Sequence, residues 1–430
     1  MPRWFNTAGP CKPADHYMLP ASRRLPEVQR LVEQNGYFVL HAPRQTGKTT
    51  VLRSLAEQLT ASGRYAALHF SCEEGEVAGD DYGPAQRAIL RELKLSAETY
   101  LPPELQPPAL ELEGDEALLQ RNLSAWARAC PRPLVLFLDE IDALRGQSLL
   151  SVLRQLRAGF SRRPEGFPSS VVLCGLRDVR DYKVASDGRD HLGTSSPFNI
   201  KVESLTLGNF TRDEVAELYQ QHTDDTGQVF LPEAVDRAFY WSQGQPWLVN
   251  ALARQLVTTL VPDRRQPLTA AQVDAAKELL LKRQDTHLDS LAERLREPRV
   301  RRILEPMLAG LALGNVPDDD LRFVQDLGLV RVGTMGGLEV ANPLYREVIP
   351  RVLSNIAFAS LPPQTSTPWL RADGRLDMER LMEAFLGFWR QHGQPLLGTA
   401  PYHEIAPHLV LMAFLHRVAN GGGTLEREYA

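Results

Sequence analysis

The chain has 430 residues, 43% of them hydrophobic and 23% charged, with a formal net charge of −5. It is too long for one ordinary core and fits about three domains. So slight a charge makes no electrostatic case for a nucleic-acid or membrane partner, although local basic patches remain compatible with it.

Four dispersed cysteines, Cys11, Cys72, Cys130 and Cys174, form neither a C-x-x-C pair nor a disulfide framework, which fits a reducing interior. The opening residues, MPRWFNTAGPCKPADHY, lack the apolar run of a signal peptide. No stretch nears the roughly 18 apolar residues of a membrane helix. The expected compartment is the cytoplasm, with no membrane partner.

Residues 1–30, rich in Pro and Arg, read as an extended arm followed by a short helix. Residues 37–41 are an apolar run of strand length. The turn after them opens a helical pattern over 49–59, apolar at Val51, Leu52, Leu55 and Leu59, and a second strand follows at 65–70. Strand, turn, helix, strand is the βαβ unit of a parallel sheet. The Pro-rich acidic stretch 96–115 reads as a surface loop. Residues 134–138 are apolar throughout, as in a strand buried on both faces. A helix around 149–160 leads to strands at 171–174 and 199–207, with a polar, Gly-rich loop at 186–197 that is expected to be mobile near the site.

From Thr211 the pattern turns helical, and Thr211 with Glu214 three residues later is a capping box. Helical periodicity continues over 248–260 and 270–295. Residues 300–350 read as two helices, a Gly-bounded turn at 326–328 and a hairpin, the order of a winged helix. The expected fold is therefore α/β, in six parts. An N-terminal arm (1–30) precedes a P-loop NTPase parallel sheet (31–207). A helical lid (208–285), a winged-helix-like domain (286–358), a linker (359–374) and a helical C-terminal segment (375–430) follow.

Ala42-Pro43-Arg44-Gln45-Thr46-Gly47-Lys48-Thr49 has Walker A spacing, with Ala42 where the first glycine usually stands, and Thr50 continues into the helix. Backbone N–H groups of such a turn converge on phosphate oxygens, which demands an unhindered residue at Gly47. Lys48 is placed to reach the β- and γ-phosphates and the Thr49 hydroxyl to ligate Mg²⁺. Ala42 is small enough for close approach but disfavours positive φ, so the opening turn is expected to differ slightly. The plain alternative is a chance G-K-T before a helix; the strand before it and the amphipathic helix after it argue otherwise.

The apolar strand 134–138 runs into Asp139 and Glu140, a Walker B pattern at the carboxyl edge where open α/β sheets hold ligands. Asp139 is expected in the Mg²⁺ shell and Glu140 as the residue that orients and polarises the attacking water. Asp142 reads as a solvated or helix-capping acid. Glu directly after Asp, beyond an intervening strand, marks the branch with a catalytic glutamate. The lack of an N-K-x-D or T-K-x-D motif favours ATP over GTP.

On Ala42 to Thr49, Asp139-Glu140, Gly175-Leu-Arg177-Asp178 and Gly244-Gln-Pro246, the sequence resembles the STAND-type and archaeal-type ATPases of the AAA-related branch, over about residues 15–350. It is similar to a bacterial group that opens with segments like Phe5-Asn-Thr-Ala-Gly-Pro10 and Asp15-His-Tyr-Met-Leu-Pro20, often fused to a C-terminal PD-(D/E)xK nuclease domain. The resemblance implies that Arg177 is a sensor facing the γ-phosphate; taken alone, it is a surface arginine paired with Asp178 or Asp181. It implies that Pro246 brings a lid helix to the nucleotide; taken alone, the element is a turn with Pro at N1. It also implies that Arg23 or Arg24, with Tyr17 and Pro20, lies near the adenine. Trp241 and Trp247 read as lid core.

Residues 420–429 resemble the start of the nuclease domain, truncated or lost, but no metal-binding Asp and E-x-K follow. Glu426 and Glu428 alone assemble no such site, and no nuclease activity is expected.

The function implied is an ATP-hydrolysing switch, bound to ATP or ADP, that controls a protein effector or its own assembly. The alternative is a DNA-binding ATPase resembling replication initiators, resting on Arg299, Arg301 and Arg302, which Glu297 and Glu305 dilute. A third reading, a nucleotide-binding scaffold without turnover, has Glu140 against it.

Overall fold

Four runs of mostly apolar residues pair side by side, buried on both faces, and a fifth, more polar and partly exposed strand closes one edge of the sheet. In the computed structural model these are β1 (Tyr37–His41), β2 (Ala66–Ser71), β3 (Leu134–Asp139), β4 (Ser170–Gly175) and β5 (Lys201–Thr206). They hydrogen-bond in the order β2-β3-β4-β1-β5, every pair parallel. The structure describes residues 3–176, 200–283, 294–295, 297–309, 313–333, 336–349, 377–399 and 411.

Alternation along the strands sorts the core into two layers. Tyr37, Val39, Leu68, Phe70, Leu134, Leu136, Leu138, Val171 and Leu173 face one way. They meet α4 (Tyr82–Tyr100), α5 (Leu118–Ala129) and α6 (Gly146–Gly159). Phe38, Leu40, Ala67, Val135, Phe137, Val172 and Cys174 face the other way. Their neighbours are α1 (Ala21–Arg24), α2 (Glu27–Glu33) and α3 (Lys48–Ala61). In α3 the buried stripe is Val51, Leu52, Leu55 and Ala56, the spacing of one helical face. The result is the expected α/β fold with helices on both sides of a parallel sheet.

The stretch 96–115 is not the surface loop that its prolines imply. Helix α4 runs on to Tyr100, and a single 3-10 turn follows at Pro103–Leu105. Leu101 and Leu105 are buried, and Leu110 and Leu112 pack against the same layer. The indole N–H of the buried Trp126 on α5 donates to the Leu105 carbonyl at 3.0 Å. Alternating leucines among the prolines supply apolar anchors, and the prolines fix φ for the turns between them.

The chain divides into two compact units, Met1–Phe239 with Gln243–Val273, and Tyr240–Ser242 with Asp274–Ala430. Within the first, α7 (Arg212–Thr226), α8 (Pro232–Ser242, up to Phe239) and α9 (Pro246–Gln255) follow the sheet. Thr211 and Glu214 form the capping box at the start of α7. The arm is pinned to these helices. Phe5 and Tyr17 are buried against Tyr219, His222 and Phe230. Arg3 makes a two-pronged pair with Asp225, and the Trp247 indole donates to the Thr7 carbonyl.

In the second unit, helices Pro298–Ala309 and Asp318–Asp326 precede an antiparallel hairpin of β6 (Val330–Val332) and β7 (Leu338–Val340). Trp241 belongs here, with its indole on Asp274 and its ring beneath the Lys277 ammonium. A helix covers Met378–Thr399. The 186–197 loop, the 359–374 linker and the nuclease-like residues 420–429 lie outside the described residues. Among the described residues no helix is long and apolar enough to cross a membrane.

Packing of the Pro-rich stretch has a measurable consequence. Leu105→Ala should destabilise the protein by about 2–5 kcal/mol, the range for emptying a buried leucine site. A surface loop would tolerate the change, so an unaltered urea midpoint would contradict the packing described.

Candidate functional site

All five parallel strands end on one edge, and the loop after β1 crosses it. Ala42 prolongs β1, its N–H donating to the Gly175 carbonyl at 3.3 Å. The left-handed positions of the loop are Gln45, at φ 60°, and Gly47, at φ 86°. An alanine therefore serves at position 42, because the chain asks for no positive φ there. Thr46 is buried and its hydroxyl closes the loop onto the Pro43 carbonyl at 2.9 Å. Gly47 is the N-cap of α3 and offers no side chain to the first-turn N–H groups. Those amides and the helix dipole form an anion-binding end.

Lys48 folds along the loop, its ammonium donating to the carbonyls of Ala42 at 2.7 Å and Pro43 at 2.9 Å. Burial lowers its pKa. Arg44 and Gln45 are exposed. The Thr50 hydroxyl accepts from the Cys11 N–H of the arm at 3.0 Å.

Thr49 donates its hydroxyl to Asp139 Oδ2 at 2.6 Å. The same oxygen lies 3.1 Å from Nε2 of His69 on β2, and Oδ1 accepts the Glu140 N–H at 3.0 Å. Asp139 is 2% exposed. Burial by itself raises this carboxyl, but hydrogen bonds from His69 and Thr49 outweigh it and hold the group below its ordinary range. The hydroxyl of Thr49 and the carboxylate of Asp139 are hard oxygen donors side by side, next to a loop of backbone amides. That donor chemistry fits Mg²⁺ and a polyphosphate.

Glu140 is exposed, with left-handed backbone at φ 53°. Its carboxylate accepts the Ser71 hydroxyl at 2.7 Å. The Glu140 charge pushes the neighbouring Glu73 carboxyl up. Asp142 is half-buried in the first turn of the 3-10 segment Ile141–Ala143, whose N-cap is Glu140. Burial raises its pKa, against the opposing pull of the Lys48 charge.

The two candidate arginines of the arm separate. Arg23 pairs with Glu217 at the surface. Arg24 donates to the Thr46 carbonyl at 3.2 Å and the Gly208 carbonyl at 2.5 Å, and lies over the Phe210 ring. Burial lowers its pKa to about 10, so it stays charged at neutral pH. Tyr17 turns its hydroxyl to His222 Nδ1, at 3.2 Å, in the arm–helix cluster.

Pro246 is buried at N1 of α9, with Gln245 capping the Leu248 N–H at 2.7 Å. Gly244, at φ 71°, packs so tightly on the Phe210 backbone that a Cβ has no room. Arg177 lies outside the described residues. Sequence reasoning did not find His69 and Ser71, the side-chain partners of Asp139 and Glu140.

Because folding favours the ionised form of Asp139, its contribution to stability is complete above its ordinary pKa of 3.8 and is lost as pH falls through the depressed folded value. The stability gap between wild type and Asp139→Asn in urea unfolding should therefore be widest near neutrality and narrow below about pH 4. A gap independent of pH would show that the carboxylate charge is not what the site stabilises.

Residues 30–182 match the family model of the AAA domain. A comparison with curated proteins finds no match. Among solved structures, a Walker-type ATPase of Pyrococcus abyssi is similar with a TM-score of 0.56 and 13% identity, over 80% of this chain and 99% of that one. Cdc6p from Pyrobaculum aerophilum gives 0.44 and 14%, over 82% and 97%. The ORC2 protein of Aeropyrum pernix gives 0.43 and 15%, over 79% and 93%. The chain is thus built on the fold of a P-loop ATPase, with an AAA domain over residues 30–182.

Proposed function

We propose that this chain binds ATP with Mg²⁺ on the 42–50 loop and hydrolyses it slowly to ADP and phosphate, as a nucleotide-driven switch of the AAA/STAND class. The observation that carries the reading is the 2.6 Å contact between Thr49 and Asp139, which brings the two halves of a metal–phosphate site together. Lys48 and the first-turn amides of α3 take the phosphate charge. Thr49 and Asp139 would hold Mg²⁺, which when bound would supply neutralisation of the phosphate charge. Glu140, at the sheet edge and fixed by Ser71, orients the attacking water and takes up its proton. Arg177 serves as the sensor and Pro246 as the lid contact.

In this reading residues 208–285 act as lid and 286–358 as a winged helix. Triphosphate contacts bias the lid, and the output goes to a protein effector or to self-assembly in the cytoplasm. Moving such an equilibrium from 1:99 to 99:1 takes roughly 5.5 kcal/mol of differential binding. The DNA-binding alternative has less support. Arg299 pairs with Glu297, Arg302 with Asp320 and Arg331 with Glu339, so each of these half-exposed cations has an acidic side chain beside it.

Wild-type protein should release phosphate from ATP only with Mg²⁺. Glu140→Gln should keep ATP binding and lose about 10²–10⁴-fold in turnover, whereas Lys48→Ala should lose binding itself. Turnover in Glu140→Gln equal to wild type would remove the assignment of the water-orienting residue. For the switch, hydrogen exchange in α7–α9 should be slower with ATP than with ADP. Identical protection in the two states would leave an ATPase without a switch.

A further inference from the structure

Strand alternation puts His69, Asp139 and Cys174 on the face of the sheet that α3 covers, opposite to Leu68, Leu138 and Leu173. In the register of β2 and β3, Ser71 stands opposite Asp139 and His69 opposite Phe137, so the His69 ring lies one pleat behind the carboxylate. It is 6% exposed and reaches Asp139 Oδ2 at 3.1 Å, the oxygen that also accepts the Thr49 hydroxyl. An ionised carboxylate only accepts hydrogen bonds, so Nε2 of His69 carries the hydrogen.

We propose that His69 is a positioning residue for the metal–nucleotide site: with Thr49 it pins the Asp139 carboxylate, and thereby fixes the direction of the Thr49 lone pairs. This inference rests on the proposed ATP·Mg²⁺ reading. Two donors occupy Oδ2 and the Glu140 N–H occupies part of Oδ1, so the carboxylate cannot turn about its last bond without breaking one of them. The Thr49 hydroxyl hydrogen is spent on that fixed oxygen. Its lone pairs therefore point away from Asp139 and are left for a hard cation. Without the His69 donor, the carboxylate is held on Oδ2 by Thr49 alone, and the two metal donors loosen together. Partners one step behind a metal ligand commonly change metal affinity or activity by about 10–100-fold.

The test is a Mn²⁺ titration of the protein–ATP complex, with free Mn²⁺ read by electron paramagnetic resonance, beside ATP binding in EDTA. His69→Leu keeps the bulk and removes the donor; His69→Gln keeps a donor at comparable reach. His69→Leu should weaken Mn²⁺ about 10–100-fold while ATP binding in EDTA is unchanged, and His69→Gln should stay near wild type. If His69→Leu does not fold, His69→Asn, whose amide is too short to reach Asp139, takes its place. Wild-type Mn²⁺ affinity in the donor-less variant overturns the role. So does a parallel loss of metal-dependent and metal-free binding in both variants, which would mark His69 as purely structural. No metal-dependent ATP binding in wild type would instead refute the proposed function.

Discussion

The register of the parallel sheet is the constraint on which the site depends. Ser71 is opposite Asp139, Leu138 opposite Leu173, and His41 opposite Gly175, so β1 to β4 finish together at one edge. A slip of one residue in β3 would turn Asp139 from the α3 face to the layer of α4, α5 and α6, and the 2.6 Å contact with Thr49 would vanish. The continuous apolar strands hold that register because both layers of the core are filled at once: Leu134, Leu136 and Leu138 on one side, Val135 and Phe137 on the other. The geometry of the polar edge is thus set by burial well behind it.

That edge carries buried charge, which is stable only where hydrogen bonds compensate it. Moving a carboxylate out of water costs several kcal/mol. Hydrogen bonds to a charged group return about 1.5–3 kcal/mol each, and Asp139 accepts from Thr49, His69 and the Glu140 amide. The balance favours the ionised form, as the direction of its pKa shift shows. Asp142 has fewer such donors, and there burial prevails and the carboxyl moves up. Two acids three residues apart in sequence thus respond in opposite directions, for reasons of packing rather than of sequence.

What was legible in the sequence is what local chemistry encodes. The G-K-T turn, the apolar strand ending in Asp139-Glu140 and the Thr211–Glu214 capping box each carry their physical requirement within a few residues. So did the alternation between strands and amphipathic helices that gives the α/β sheet. Contacts made by topology were not legible. His69 lies 70 residues from Asp139 and Arg24 lies 184 from Gly208, and nothing adjacent to either in the chain marks its partner. The run Ala-Ala-Leu-His69-Phe-Ser71 held half a signal, since its period of two puts His69 and Ser71 on one face. Only the register with β3 tells which face that is. The stretch 96–115 was misread for a related reason: prolines and acids dominate its composition, while its four leucines do the packing.

The same long-range contacts bear on how a change at the phosphate loop could travel. Arg24 ties the Thr46 carbonyl to the Gly208 carbonyl, and Phe210 beneath it meets the Gly244 backbone just before α9. On the opposite side of the loop, the Cys11 amide holds Thr50, while Thr7 of the same arm accepts from Trp247 and Arg254 on α9. Two short routes therefore lead from the first turn of α3 to a single helix. Both pass through segments with little freedom to yield: one has a glycine whose Cβ position is occupied, and the other an arm anchored by the buried Phe5 and Tyr17. Packed elements of this kind shift between discrete arrangements rather than deform smoothly. In the proposed switch, these two sets of contacts are the routes by which an adjustment at the loop reaches α9.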